Sequence, residues 1–299
     1  DWKRVTADRR INLVIISTTN DALMEISLDA IRHGKHVLVE KPPAMTLAET
    51  DEMIAACKKA GVKLGITLQC RVRKPIQAMK KAIEAGRFGR ILQADAYMKW
   101  FRSSQYYASD DWRSKRSSGA GVTIQHAFHY IDLLSYLMGP VDSVMARMSN
   151  KAHPEVQLED TLMSWINYRN GAQGAVVAST AFWPGTDMRI ELCGENGTAI
   201  MAGEKMVTWK FRDEQPEDEE IRNLGRGSVG TAASGPADFD FADHQIVMEA
   251  MANAARGLGE PAITADSARD TLEIALAMYQ SAASNKEVKL PIVEGDFEL

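Results

Sequence analysis

The sequence predicts an α/β fold: a partial parallel sheet wound with helices, then a second α/β domain built on a large, mostly antiparallel open sheet. Three observations carry this expectation. Residues 11–68 alternate short β-branched runs with capped helical segments. From Gly86 to Gly89 onward the pattern changes to long alternating strands joined by hairpin-like turns. The length of 299 residues suggests two domains at roughly 150 residues each. The expected division is residues 1–74, a partial nucleotide-binding unit, and residues 75–299, a unit for substrate binding and oligomerisation.

Residues 11–16 (Ile-Asn-Leu-Val-Ile-Ile) read as a strand covered on both faces, closed by Ser17-Thr18-Thr19-Asn20. Asn20 or Asp21 is placed to cap the next helix. Its Leu23, Ile26, Ala30 and Ile31 recur at helical spacing before Gly34 ends it. Residues 36–39 form the second strand, which runs into Glu40-Lys41-Pro42-Pro43. Thr46 caps a helix through Ala60, Gly61 stops it, and residues 62–68 are a third strand. This rhythm implies right-handed βαβ units and a parallel sheet. Beyond Gly89, strands are expected at 91–101, 144–148, 161–168, 174–181, 188–193, 199–201 and 207–211, with a helix from near Ile124 to Leu137. Acidic residues 213–220 and apolar-poor residues 225–235 suggest a mobile surface segment. Helices near 241–256 and 266–285 follow.

Composition narrows the function. The chain is 45% hydrophobic and 25% charged, with 40 acidic against 35 basic residues and a formal charge of −5. Nucleic-acid and membrane-surface proteins usually carry a basic excess, so both roles are disfavoured. No apolar run approaches the ~18 residues of a membrane span. Cys57, Cys70 and Cys193 are odd in number and far apart. They make no disulfide framework and fit a reducing cytoplasm, the expected location. The chain opens at Asp1, just before a strand that reads as fully buried. The expectation is therefore a longer polypeptide whose start lies upstream.

Gly225-Arg226-Gly227-Ser228-Val229-Gly230 spells G-x-G-x-x-G, but an acidic stretch precedes it and no helix pattern follows, so it reads as a loop. Glu40-Lys41-Pro42 sits at a strand's carboxyl end, the edge where open α/β sheets bind ligands. Lys41 there can hydrogen-bond a substrate hydroxyl, or simply be a solvated lysine at a turn. Gly119-Ala120-Gly121 precedes a helical segment that brings Gln125, His129 and Asp132 near one side, with His126 adjacent. A histidine there can accept an alcohol proton, H-x-x-H-x-x-D can hold a divalent metal, or the imidazole can be a core residue. Trp100, Tyr106, Tyr107 and Trp112, interleaved with Lys99, Arg102 and Arg113, can stack on a sugar or pack an interface. His33, His36 and His153 have no constellation around them. His244 opens a helix.

From about Asp1 to Pro291 the chain resembles the glucose–fructose oxidoreductase/inositol dehydrogenase (Gfo/Idh/MocA) family. The matching blocks are residues 12–20, Gly34-Lys35-His36-Val37-Leu38-Val39-Glu40-Lys41-Pro42, Trp112-Arg113, residues 119–132, His244 onward and Tyr279-Gln280-Ser281. The resemblance implies a Rossmann domain binding NAD or NADP and a second domain whose open sheet pairs into homodimers or homotetramers. It implies hydride transfer between the cofactor and a hydroxyl or keto carbon of a sugar, nucleotide sugar or cyclitol. Lys41 would be the catalytic lysine, His129 the proton acceptor or donor, and Gln125 a third catalytic residue able to bond to substrate. Ser17, Thr18, Thr19, Asn20, Glu40, Lys41, Gln69 and Arg113 would line the cofactor, with Glu40 near its ribose. Arg71, Lys99, Arg102, Tyr107, Trp112 and His126 would face the substrate. No catalytic metal is expected, because Lys41 already stabilises the reacting oxygen.

Three departures stand out. Gln125 occupies a place where Asp or Asn is frequent, and His126 one where Gln is frequent. Leu23 stands where a histidine is usual. The first βαβ unit, with its glycine loop, is missing, which predicts impaired or absent cofactor binding by these residues alone. NAD-dependent glycoside hydrolysis and non-catalytic ligand binding are the alternative activities.

Overall fold

The structure, a computed structural model, describes residues 1–225, 233 and 241–293. A parallel sheet is formed by β1 (Leu13–Ile16), β2 (His36–Glu40) and β3 (Leu64–Thr67) in that spatial order. Helices α2 (Asn20–Arg32) and α3 (Leu47–Ala60) make the crossovers. Val37, Leu38, Val39 and Ile66 are almost fully buried, as a strand covered on both faces requires. At the start of α3 the Thr46 hydroxyl accepts from the Glu49 amide while Glu49 accepts from the Thr46 amide, a reciprocal capping box. Gly61 ends the helix at φ +67°, a conformation that costs glycine little.

One local expectation is corrected here, and one helix is added. The cap of α2 is Thr19, which makes no side-chain cap bond, and Asn20 is already helical. The Asn20 side chain is engaged elsewhere, as described below. A short helix α1 (Trp2–Ala7), capped by Asp1, also precedes β1. Its six residues are too few to show a period in sequence.

After β3 the chain forms α4 (Lys74–Glu84), with Pro75 in its first turn, and further on the short α5 (Ser104–Ala108). The second sheet comprises β4 (Ile91–Lys99), β5 (Val141–Ser149), β6 (Thr161–Tyr168), β7 (Gln173–Ser179), β8 (Arg189–Gly194), β9 (Gly197–Ala202), β10 (Lys205–Phe211) and β11 (Val288–Lys289). Its spatial order is β10-β9-β8-β4-β7-β6-β5-β11, antiparallel except for β4 against β7. One face packs on α6 (Phe128–Met138) and α9 (Ala265–Ser284), burying Ala96, Met98, Leu162, Ile166, Val176 and Ile190. Met145, Met163 and Trp165 stand on the other face, with Trp165 at 51% exposure.

The acidic segment after β10 is not the loose surface stretch expected. It contains α7 (Asp218–Arg222), and Asp218 is fully buried. Its carboxylate accepts two bonds from Arg87, at 2.7 and 2.8 Å, one from Trp209 Nε1 at 2.6 Å and one from the Gln215 amide at 2.8 Å. Those bonds hold the Asp218 carboxyl far below the usual carboxylate range, Arg87 contributing most. The G-x-G-x-x-G string lies, beyond Gly225, outside the described residues. Helix α8 (Ala242–Ala255) then packs on the turn after β3, and the Ile66 amide donates to Ile263 O, so late sequence closes back on the first sheet. Among the described residues no helix is long and apolar enough to cross a membrane.

Candidate active site

Parallel strands β1, β2 and β3 all end at one edge of their sheet, which brings Ser17–Asn20, Glu40–Lys41 and Gln69 toward one rim. The second sheet supplies the opposing element. Residues Thr123–Ala127 form a π turn that runs directly into α6. Such turns disturb the regular helical ladder and recur at functional sites. Gly121 opens it without a side chain for a steric reason: a Cβ there would collide with both Glu159 carboxylate oxygens and with the Tyr279 hydroxyl. Glu159 in turn accepts from the Thr123 amide at 2.8 Å and from Tyr279 at 2.9 Å, pinning the start of the turn.

Lys41 Nζ crosses to this turn and donates to Gln125 O at 2.9 Å, joining residues 84 apart in sequence. Asn20 Nδ2 donates to Ser118 O at 2.8 Å and to Gln125 Oε1 at 3.3 Å. The ends of β1 and β2 are thus tied to the segment that carries His126 and His129. Burial pushes the Lys41 ammonium below its ordinary value, and neighbouring Glu40 opposes that shift. Burial raises Glu40, against the pull of Lys41.

His126 and His129 are both held well below the ordinary histidine range. Burial is the main cause, reinforced for His129 by Lys41, Arg73, His244 and His126, and for His126 by Arg102, Lys41, Arg113 and His153. At neutral pH both rings are uncharged. The Nδ1 atoms of both, and Gln69 Oε1, are buried without a hydrogen-bond partner among the described residues. Such orphans are rare in folded proteins and point to an absent partner.

Around His126 lie the rings of Trp100 and Tyr106, with centroids 6.2 and 6.1 Å away. The Arg102 guanidinium lies 5.1 Å from the Trp100 ring and 5.5 Å from that of Tyr106. Arg113 lies 4.5 Å from the rings of Tyr106 and Trp112 and pairs with Asp110 at 3.0 Å. Arg102, Arg113, Trp112 and His126 therefore belong to one cluster beside His129.

Three residues expected to face the substrate have their side chains engaged or directed otherwise. Arg71 is buried in a bidentate pair with Asp132, at 2.5 and 2.8 Å, and also donates to Ser267. The same pair removes Asp132, which also accepts from Thr271, from any grouping with His126 and His129. The spacing seen in sequence was permissive, but a fully buried carboxylate meets the guanidinium that balances its charge. Lys99 is exposed and alternates with buried Met98 and Trp100, so it stands on the open face of the sheet. Tyr107 is buried, its hydroxyl 2.8 Å from Thr180 Oγ1 and its ring against His153.

Other site neighbours were missed. Arg73 follows β3 by the same edge logic that flagged Lys41, and ion pairs at 3.0 Å to Glu204 and to Asp243 hold it beside His129. His244, noted only as a helix opener, joins that group. Glu159 carried no signal in sequence, since its role depends on a glycine 38 positions earlier (159 − 121).

A parallel sheet whose ligand-facing strand ends carry a buried lysine thus meets a neutral histidine on a second, open-sheet unit. Residues 1–68 match the oxidoreductase family with an NAD-binding Rossmann fold, and residues 76–200 match the GFO/IDH/MocA C-terminal domain. The chain belongs to the Gfo/Idh/MocA family and is an NAD(P)-dependent oxidoreductase. It is 28% identical over 292 residues to the 1,5-anhydro-D-fructose reductase of Ensifer adhaerens, covering 96% of this chain and 82% of that protein. Levoglucosan dehydrogenase of Pseudarthrobacter phenanthrenivorans is 28% identical, over 79% of this chain and 65% of its own length. Among solved structures, the WlbA dehydrogenase of Bordetella pertussis, in complex with NADH and UDP-GlcNAcA, superposes with a TM-score of 0.87. It is 28% identical and covers 98% of this chain and 83% of its own.

Proposed function

We propose that the protein interconverts a hydroxyl and a keto group on a sugar, nucleotide sugar or cyclitol, using NAD or NADP. The observation that carries this reading is the Lys41–Gln125 bond, which brings a strand-end lysine to the turn bearing two uncharged histidines. The similar proteins named above act on or bind an anhydro-sugar, levoglucosan and a nucleotide sugar, which supports the substrate class.

The residues at the sheet rim suit the nicotinamide half of a dinucleotide. Gln69 Oε1 is a buried acceptor with no partner among the described residues, matched to a carboxamide N–H. Ser17, Thr18, Thr19 and Asn20 offer polar groups after β1, and Glu40 suits a ribose hydroxyl. Once bound, the nicotinamide supplies the two-electron redox chemistry, which protein side chains cannot.

The chain's own residues handle the proton and the geometry. His129, kept neutral by burial and surrounding cations, accepts the hydroxyl proton in the oxidative direction and returns it in the reductive one. Lys41 spends one of its three donors on Gln125 O and directs the others to the reacting oxygen, where a cation favours the developing alkoxide. Gln125, held by Asn20, keeps that lysine in place. In this reading residues 1–74 bind cofactor and residues 75–299 bind substrate. The exposed Met163 and Trp165 on the open sheet face make a homodimer contact.

The test is a panel of aldoses, cyclitols and nucleotide sugars with NAD and with NADP, followed by NAD(P)H absorbance. Turnover on at least one member, abolished in Lys41→Met, is expected. Cofactor binding without turnover on any member overturns the reading.

A further inference from the structure

We propose that Glu159 is a positioning residue of the reaction: acting as a hydrogen-bond acceptor from a distant part of the chain, it caps the π turn that carries Gln125, His126 and His129. This rests on the dehydrogenase reading above and adds a residue that acts through others.

The turn has no cap of its own. The first N–H groups of a helix find no partner within it and must be met from outside. Helices α3 and α9 meet that demand locally: Thr46 accepts from the Glu49 amide and Thr264 from the Ser267 amide. Before the π turn stand Gly119, Ala120, Gly121 and Val122, none with a side-chain acceptor, and Val122 makes no side-chain cap bond. Val122 and Thr123 are 1% and 0% exposed, so bulk water does not serve their amides. A buried amide left unmet is costly.

Glu159 answers both. Its backbone oxygen accepts from the Val122 amide at 2.8 Å, and its Oε1 from the Thr123 amide at 2.8 Å. Tyr279 on α9 donates to the same Oε1 at 2.9 Å and fixes the carboxyl from behind. The next residue, Asp160, accepts from the Lys151, Ala152 and His153 amides, so Glu159 reaches out from an anchored base. Gly121, which leaves room for the carboxyl, also accepts from the Gln125 amide at 2.9 Å. Gln125 O in turn holds Lys41 Nζ. A shift at residues 121–123 is thus passed to the acceptor of Lys41 within one turn.

The role is that of an acceptor rather than of a charge. Both groups that donate to the carboxyl, an amide and a phenol, are neutral. Burial raises the Glu159 carboxyl above its ordinary value and so works against the ionised form. An amide oxygen accepts from the same two donors.

The test uses three substitutions in the whole chain. Glu159→Gln keeps the reach and drops the charge, Glu159→Asp keeps the charge and shortens the reach, and Glu159→Ala removes both. Turnover is followed by NADH formation with NAD and levoglucosan, D-glucose or myo-inositol. Hydrogen exchange over residues 121–129 is read by mass spectrometry on the same samples, below their melting temperatures. The Asp and Ala variants should lose kcat by about 10²-fold with KM little changed, the order expected when catalytic groups are misplaced by about 1 Å. Their exchange over 121–129 should quicken by about tenfold or more as the turn opens more readily. Glu159→Gln should stay near wild type in both.

Glu159→Gln as slow as Glu159→Ala overturns the proposal, and so does Glu159→Asp at the wild-type rate. A lower melting temperature in Glu159→Ala with kcat intact also overturns it, as does a fall in kcat without faster exchange over 121–129. Should Glu159→Ala not fold, Tyr279→Phe removes one donor and keeps the ring. It should lower kcat and quicken the same exchange more weakly, and no change in either sinks the idea. Absence of wild-type turnover on all three probes counts against the dehydrogenase reading alone, because the exchange pattern still decides whether Glu159 holds the turn.

Discussion

Two buried polar clusters of this protein contrast sharply in how their hydrogen bonds close. Around Asp160, every group answers another: the carboxylate accepts from the Lys151, Ala152 and His153 amides and from the Thr161 hydroxyl. His153 spans from Asp160 at 3.0 Å to Arg102 O at 2.7 Å, so both ring nitrogens are used. Around His129, by contrast, the Nδ1 atoms of His126 and His129, Trp100 Nε1 and Gln69 Oε1 have no partner among the described residues. A closed network stabilises one conformation and has nothing to offer a ligand. An open one is tolerated only where a partner from outside completes it. Satisfaction, rather than burial or residue type, separates scaffold histidines from site histidines here.

The largest effect that tests this contrast is on turnover. His129→Ala should lower kcat/KM by about 10²–10⁴-fold, the range for removing a general acid/base, while leaving the melting temperature near wild type. His153→Ala should do the reverse, because it leaves Asp160 and a carbonyl unanswered in the core. Steady-state kinetics and thermal melts on both variants decide it. A His129 variant with near-wild-type turnover would dissolve the distinction.

Next in size is the closed pair Arg71–Asp132. Asp132→Ala strands a buried guanidinium and should destabilise by about 3–5 kcal/mol, read by chemical denaturation. Were Arg71 a substrate contact, as the family resemblance implies, the loss would appear in KM with little change in stability. The loop before the π turn comes third. Gly121→Ala drives a methyl into Glu159 and Tyr279, and overpacking of this kind costs about 1–3 kcal/mol. Because Glu159 also holds the Thr123 amide, the same variant should displace His126 and lower turnover.

How much of this was legible beforehand follows the range of the interactions. The parallel sheet and its crossovers were readable because each depends on local signals: β-branched runs, Thr46 with Glu49, and Gly34 and Gly61 at helix ends. The hairpin strands were readable for the same reason, and the β6 limits coincide with the expected 161–168. Lys41 was reachable because strand ends in parallel sheets have a fixed meaning. Arg71 and Asp132 were misread because two residues from different elements, 61 apart, neutralise each other, which spacing cannot show. Asn20 was read as a cap because its type favours caps, yet its amide serves a carbonyl 98 residues away. Composition alone makes the acidic string near Asp218 look solvent-facing, although Arg87 and Trp209 bond its carboxylate. Long-range polar pairing is the part that one sequence hides.

The smallest effect concerns pH, and its sign follows from the same two clusters. Folding lowers the proton affinity of His126 and His129, because burial and nearby cations disfavour the charged rings. The unfolded chain, with histidines near their ordinary value of about 6.5, therefore binds more protons below that pH. Stability then rises with pH wherever the unfolded state holds the extra protons, so these two residues cost nothing at pH 8 and destabilise the fold progressively as pH drops through 6.5. Asp160 acts in the same direction but lower: its carboxyl is depressed by amide, hydroxyl and imidazole hydrogen bonds that outweigh burial, so its contribution is lost only as pH falls below the ordinary carboxylate range. Melting temperatures at pH 8, 6 and 5 should separate the two. Wild type should already fall between pH 8 and 5, and the double variant His126→Gln/His129→Gln should flatten that part of the curve. Saturating NAD should not restore the flattened slope in the variant. A variant that loses stability between pH 8 and 5 as steeply as wild type would mean the site histidines are not held neutral, and would remove the ground for assigning the proton to His129.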